Sequence, residues 1–370
     1  MAGGNDSGRP GTIVIQQRGG RWFGRLGWFL AILLFVIVVQ QQARYHQYFD
    51  RTGGVLEQYH SGSKTASNKI AVVHVSGVIM SGESVRRQIE RVRKDHHVRA
   101  VVLRINSPGG TISGSDAIYH YLKTLRLERN LPVVVSMGPV AASGGYYVAM
   151  AAGKGENLIF AEPTTTTGSI GVIMPHYDAS QLLERIGVKD DSIVSHPLKE
   201  LGSMTKKMTE AERKILQEYV NESFGRFKRL ILESRPQLKG DTDNSLKHLK
   251  TGEDVATGQV FTANQALAAG LIDQIGFLED AITRARELAG LSESNTRVVE
   301  YKPPPSLFGL LDQGATTQVD PLRGLPRVDW NTLRIQPYYL MPSAAHLPWT
   351  AALLKWWRDG QAASRPWHHR

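Results

Sequence analysis

A serine at position 143 stands between small residues on both sides, Ala141, Ala142, Gly144 and Gly145. It lies in the stretch 137–152, MGPVAASGGYYVAMAA, which follows an apolar run at 131–135 and opens with the chain-turning residues Gly138 and Pro139. Residues 146–152 have helical composition. A serine at such a strand-to-helix junction can expose its hydroxyl, and the flanking glycines let a substrate backbone approach closely. The first N–H groups of a helix are unpaired donors with partial positive charge. Together these are parts of an acyl-transfer site, with donors for the oxyanion that forms when Ser143 attacks a carbonyl. The same Ser-Gly-Gly also fits a small-residue turn packed under a sheet, so the choice depends on what accompanies it.

A nucleophilic serine needs a base. The histidines at 74, 96, 97, 120, 176 and 196 fall in no recognisable triad motif. The other choice is a lysine whose amine is kept partly neutral by burial. Lys199 is a candidate because Ser195-His196-Pro197-Leu198-Lys199-Glu200-Leu201-Gly202-Ser203 reads as a loop rather than a polar helix face. Lys206 and Lys207 are rivals that stand just before a helix cap. Composition alone does not choose among them.

The elements that must position these residues alternate in type. Strand patterns occur at 70–80, 100–105, 131–135, 158–161 and 168–174, with a possible strand edge at 192–195. Helical patterns occur at 85–93, 115–127, 179–186, 209–232, 264–269 and 278–288. Thr209 and Glu212 form the capping-box pair for the longest helix. This alternation predicts an α/β layered domain with largely parallel strands over 69–300.

Before the domain, residues 1–21 are Gly- and Arg-rich and read as disordered. Residues 22–42 follow as a transmembrane anchor, with an uninterrupted apolar part at 26–39, interfacial Trp22, Phe23 and Trp28, and glutamines at its end. A cleaved signal peptide is disfavoured because no small-x-small site closely follows the apolar core. Arg9, Arg18, Arg21 and Arg25 precede the anchor's apolar part, which puts the N-terminus in the cytoplasm and the domain outside the inner membrane. Residues 43–68 read as a stalk. Residues 301–370 form a Pro-rich tail that ends in an amphipathic aromatic segment at 349–358, WTAALLKWWR.

The chain has 370 residues, long enough for one large domain or two ordinary ones. Its formal net charge of +10 is accompanied by no nucleic-acid motif, so it fits solvated faces beside a membrane and no nucleic-acid partner. The absence of cysteine excludes thiol nucleophiles, disulfides and thiolate metal sites.

Several motifs in order carry a resemblance: Asn106-Ser107-Pro108-Gly109-Gly110, Ser136-Met137-Gly138, Ala141-Ala142-Ser143-Gly144-Gly145-Tyr146-Tyr147, Thr167-Gly168-Ser169-Ile170-Gly171-Val172 and Ala268-Ala269-Gly270-Leu271-Ile272-Asp273-Gln274-Ile275-Gly276. From 70 to 291 the chain resembles the short form of the signal peptide peptidase A (protease IV) family of membrane-anchored serine proteases. The resemblance implies a ClpP/crotonase-like fold and a Ser/Lys dyad without metal or cofactor. It puts Ser143 at the nucleophile, Lys199 at the general base and Ser169 at the serine that holds the lysine amine. Gly109 or Gly110, with Gly144, supplies the oxyanion hole. The loop before the lysine departs from the short form's common Gly-x-x-Lys-(Asp/Glu) by having Ser195-His196-Pro197-Leu198 there. Peptide substrates such as released signal peptides and a ring-shaped homo-oligomer are implied as well. Two other classes remain as expectations to be tested: a crotonase-type acyl-CoA enzyme, with Glu162 or Asp116 as its carboxylate, and an inactive membrane-associated scaffold.

Overall fold

The apolar run AVVLRI at 100–105 lies at the centre of a nine-stranded sheet. The structure is a computed structural model that describes residues 21–302, except 243 and 244, and residues 338–340. At 21–26, 43–44, 46–49 and 338–340 only the backbone is described. The basic N-terminus before residue 21 and the Trp-rich segment 349–358 lie outside the described residues, as does most of the Pro-rich tail.

In chain order the elements are α1 (Arg21–Phe49), β1 (Leu56–Gly62), β2 (Lys69–Ser76), α2 (Glu83–Lys94), β3 (Val98–Ser107), β4 (Gly109–Thr111) and α3 (Ile112–Arg129). There follow β5 (Val133–Ala142), α4 (Gly144–Ala149), β6 (Ile159–Ala161), β7 (Thr166–Gly168), α5 (Ser180–Arg185) and α6 (Glu210–Ser234). The remainder are β8 (Val260–Thr262), α7 (Ala263–Ala269), β9 (Gln274–Ile275), α8 (Leu278–Leu288), β10 (Arg297–Lys302) and β11 (Tyr338–Leu340).

The sheet runs β1-β10-β2-β3-β5-β6-β9, with β7 and β8 continuing from β5. Neighbours from β10 to β9 along this path are parallel, and β1 is antiparallel at the edge. A parallel sheet covered on both faces needs near-continuous apolar strands, which is why Ala100–Leu103 and Val133–Val135 are buried without alternation. α8 packs on β3 and β5, while α4 packs against β3, β4 and β5. α6 begins with the capping box read from sequence: the Glu212 N–H donates to Thr209 Oγ1, and the Thr209 N–H donates to Glu212 Oε2.

Four readings of the sequence differ from what forms. Leu56–Gly62, read as stalk, is β1 and pairs with β10, so the sheet begins before residue 69. Gly138 and Pro139 do not end the strand; β5 continues to Ala142. Its register against β3 shifts there, from Ile105 opposite Met137 to Ser107 opposite Ala141, so the proline sits where the ladder needs no N–H. The 168–174 strand stops at Gly168 because the backbone turns at positive φ through Gly168 and Ser169. No strand forms at 192–195, where the chain is exposed and Ile193 has nothing to pack on.

The described residues divide into two compact units, with the boundary between Arg51 and Thr52. Along α1 the described side chains from Gly27 to Gln42 are all exposed. Among the described residues no helix is long and apolar enough to cross a membrane.

Candidate active site

β5 delivers the chain to Ser143 and α4 starts at the next residue. Between them Ser143 takes φ 54° and ψ −113°, a region that L-residues avoid because Cβ crowds the backbone. Two hydrogen bonds pin this conformation. The Ser143 N–H donates to the Gly168 carbonyl at 2.7 Å, and its carbonyl accepts from the Tyr147 N–H at 2.8 Å. The side chain is 1% exposed, and its Oγ has no hydrogen-bond partner among the described residues. A buried hydroxyl without a partner costs about 1–3 kcal/mol, so the fold holds this group in a state that an incoming base or substrate would relieve.

Gly109, Gly110 and Gly144 meet beside it. A Cβ added to Gly144 would lie 3.2 Å from the Gly109 Cα, 3.2 Å from the Gly110 N and 2.4 Å from Ser115 Oγ. Added to Gly110, it would strike the Ile79 carbonyl oxygen at 2.0 Å. These contacts explain the glycines: two backbone segments approach too closely for any side chain. Ser107 and Ser115 brace the loop, with Ser107 Oγ accepting from the Gly109 N–H at 3.1 Å and Ser115 Oγ donating to the Thr111 carbonyl at 3.0 Å. Since Gly109's N–H is taken by Ser107 Oγ, the other donor on this strand is Gly110, which stands opposite Tyr339 of β11. Ser169 follows Gly168, is buried, and also has positive φ; its N–H donates to the Gln259 carbonyl at 2.7 Å.

Lys199 is not brought to this cluster. It sits in a 3-10 turn, Pro197–Glu200, on an exposed arm at 173–208, and its amine has no partner among the described residues. Among the described residues Lys199 is exposed. Of the rivals, Lys206 is bound to Glu212 at 2.9 Å and Glu200 at 3.2 Å. The Glu212 contact and then the Glu200 contact push its pKa up, so the amine is held protonated and unsuited to accept a proton. Lys207 is exposed. His74 pairs with Glu300 at 3.1 Å; burial nevertheless pulls its pKa down.

The two carboxylates that an acyl-CoA enzyme would want are both engaged. Glu162 is paired with Arg104. Asp116 accepts from the Tyr147 hydroxyl at 2.6 Å and from Arg226 at 2.6 Å. The Tyr147–Asp116–Arg226 chain was not read from the sequence, because its members are far apart and none stands in a motif. It ties α3 and α4 to α6 and steadies the helix that starts at Ser143.

Among known proteins, the sequence model described as peptidase family S49 matches residues 126–292, and that described as Clp protease matches 67–175. A signal peptide peptidase SppA described in Enterococcus faecium is 36% identical over 251 residues, covering 64% of this chain and 68% of that one. A protease described in Synechocystis is 35% identical over 254 residues, covering 68% of this chain and 86% of that one. The chloroplastic serine protease SPPA of Arabidopsis thaliana is 34% identical over 240 residues, 64% of this chain, which spans 33% of that longer protein.

Proposed function

Because the chain belongs to peptidase family S49, the serine proteases of the signal peptide peptidase A and protease IV kind, with their ClpP-like fold, we propose that it hydrolyses apolar peptides such as released signal peptides, with Ser143 as nucleophile and Lys199 as general base. The observation that carries this reading is the unbonded Ser143 hydroxyl, buried beside Gly110 and Gly144 at a strained strand-to-helix turn.

Ser143 Oγ attacks the peptide carbonyl while the neutral lysine amine takes its proton; the lysinium then protonates the leaving amine. The N–H groups of Gly110 and Gly144 hold the oxyanion. Water hydrolyses the acyl-enzyme by the same proton relay. Ser169 would hydrogen-bond the lysine amine, and the support for this is its position one residue after Gly168, whose carbonyl binds the Ser143 N–H.

Lys199 must travel or be supplied by another copy. The arm that carries it exposes Leu182, Ile186, Val188 and Ile193. Each such side chain left in water forgoes about 1.5–3 kcal/mol of burial, so the arm calls for a covering surface. A neighbouring copy in a ring would supply one and would bring a lysine over a serine in a water-poor space. The same reasoning supports the membrane anchor: exposed Trp28, Phe29, Ile32, Leu33 and Phe35 on α1 suit a bilayer.

The test is hydrolysis of an apolar signal-like peptide by the full chain in vesicles and by the chain from Thr52 onward. Ser143→Ala and Lys199→Ala are expected to lower kcat by roughly 10³-fold or more, and Lys206→Ala to leave it within a few-fold. The shortened chain is expected to keep activity and to stop sedimenting with vesicles. Undiminished kcat in Lys199→Ala removes that residue from the mechanism, and continued sedimentation of the shortened chain removes the anchor.

A further inference from the structure

Tyr146 and Tyr147 follow Ser143 by three and four residues, and both side chains are fully buried. A phenylalanine would fill the same space with no hydroxyl to satisfy, so two adjacent buried tyrosines call for a reason beyond packing. Each hydroxyl donates to a group on a different element. Tyr146 donates to the Leu271 carbonyl at 2.8 Å, in the turn between α7 and β9. Tyr147 donates to Asp116 Oδ1 on α3 at 2.6 Å. Burial pushes the Tyr146 pKa up, so its hydroxyl keeps the proton it donates.

α4 needs such ties. It has six residues, and a helix so short is unstable alone. Its first end is held at the hinge, where the Ser143 N–H donates to the Gly168 carbonyl and the Tyr147 N–H donates to the Ser143 carbonyl. A hold at one end leaves the helix able to roll about its axis. Consecutive side chains leave a helix about 100° apart, so the two hydroxyls pull in different directions and oppose roll both ways.

The anchors are themselves fixed. Leu271 lies in the 268–276 motif, which contributes no group to the Ser143 cluster. The Leu271 N–H donates to the Ala266 carbonyl at 2.8 Å, and the neighbouring Gly270 carbonyl accepts from Arg235 Nε at 2.6 Å. Arg235 is buried and pairs with Asp273 at 2.7 Å, and Asp273 accepts from the Leu158 and Ile159 N–H groups at 2.9 Å. On the other side Asp116 accepts from Arg226 at 2.6 Å. The Tyr147 ring is wedged between Tyr119 and Phe227, with centroids 5.8 Å and 5.1 Å away. Both lines of contact therefore run to the C-terminal end of α6, one through Arg235 at its cap and one through Arg226.

Resting on the peptidase reading of the site, we propose that Tyr146 and Tyr147 are positioning residues for the reaction: their hydroxyls hold α4 against roll and so aim the Ser143 hydroxyl and the Gly144 N–H at one carbonyl. Nucleophile and oxyanion donor stand on adjacent residues at the start of α4, so a roll displaces both together. A misplacement of about 1 Å can cost roughly 10²-fold in rate. The 268–276 motif then acts on the chemistry through Tyr146, without touching substrate.

The test uses the full chain, each variant assayed well below its own Tm. On an apolar peptide, Tyr146→Phe and Tyr147→Phe are each expected to lower kcat roughly 10- to 100-fold with KM within about twofold. Affinity for a peptide aldehyde, which must form the oxyanion on Ser143, is expected to fall by the same factor, while affinity for the matching peptide alcohol holds. Tyr119→Phe lies in the same aromatic cluster but on α3, facing Lys123, and is expected to keep kcat within about twofold. Wild-type kcat in either α4 variant overturns the proposal for that tyrosine. An equal loss in Tyr119→Phe overturns it for both, since a loosened core would then suffice. Should Tyr146→Phe fail to fold, Tyr147→Phe is read against Asp116→Ala. Their double variant is expected to be no slower than the slower single, and additive losses overturn the tie through Asp116. Amide exchange at Tyr147, read on a peptide covering residues 143–149, is expected to be roughly tenfold faster in both α4 variants; equal exchange overturns the hold on α4. Should the wild-type chain cleave no peptide, the peptidase reading fails, and the exchange comparison still decides whether the hydroxyls hold the helix.

Discussion

At Ser143 backbone strain and the proposed chemistry coincide. A positive φ at a non-glycine residue is retained only where the surroundings enforce it, and here bonds from Gly168 and Tyr147 do so. The turn was readable in the sequence because small neighbours and a strand-to-helix change flank Ser143 within a few positions. Lys199 was a candidate from its loop context, but only the resemblance preferred it to Lys206 and Lys207. The structure supplies one discriminating fact: Lys206 is tied to the capping box of α6. Glu212, at the centre of that box, has its pKa pulled down to about 2, by the Thr209 backbone N–H first and by Lys206 next. An ordinary glutamate titrates near 4.5. A depressed folded-state pKa contributes stability that is fully present above the ordinary value and is lost as pH falls through the depressed one. The capping box is therefore expected to hold down to pH 4.5 and to weaken between 4.5 and about 2. A carboxyl-carbon NMR titration of Glu212 checks this; a midpoint above pH 4 would contradict it.

At the scale of elements, what was readable was local. α8 and the N-cap of α6 follow from periodicity and from Thr209 with Glu212 three residues on. What was missed depends on partners far along the chain. β1 is a strand because it pairs with β10, Leu56 opposite Lys302, and its own residues are too polar to announce it. β4 has only three residues, two of them glycine, and exists because Ile79 and β11 lie on either side. Its glycines are fixed by space. Gly110→Ala would drive a methyl into backbone atoms of Ile79 that cannot step aside, and is expected to destabilise by about 2–3 kcal/mol, or roughly 5–10 °C in Tm. Gly225→Ala, inside α6 where the nearest obstacle is the flexible end of Arg229, is expected to stabilise by about 0.5–1 kcal/mol. Thermal unfolding of the two variants decides it; equal shifts would mean that β4 is not packed as described.

At the scale of the whole molecule, the sheet supplies a rigid floor and one half of the proposed dyad. β3 and β5 end together, so the 107–111 loop and Ser143 emerge side by side. The other proposed half, Lys199, rides on an arm with little core of its own. This division explains why the α/β domain was readable from alternating apolar runs while the proposed base was not: the first is a property of the single chain, and in the proposed dyad another surface covers the arm that carries the lysine.

The most direct measurement is labelling of the assembled full-length protein with a fluorophosphonate, followed by mass-spectrometric location of the adduct. Only an activated serine reacts at an appreciable rate. The account predicts a single adduct at Ser143, absent in Ser143→Ala and at least tenfold slower to form in Lys199→Ala. An adduct elsewhere, or none on a protein that is folded and assembled, would contradict it.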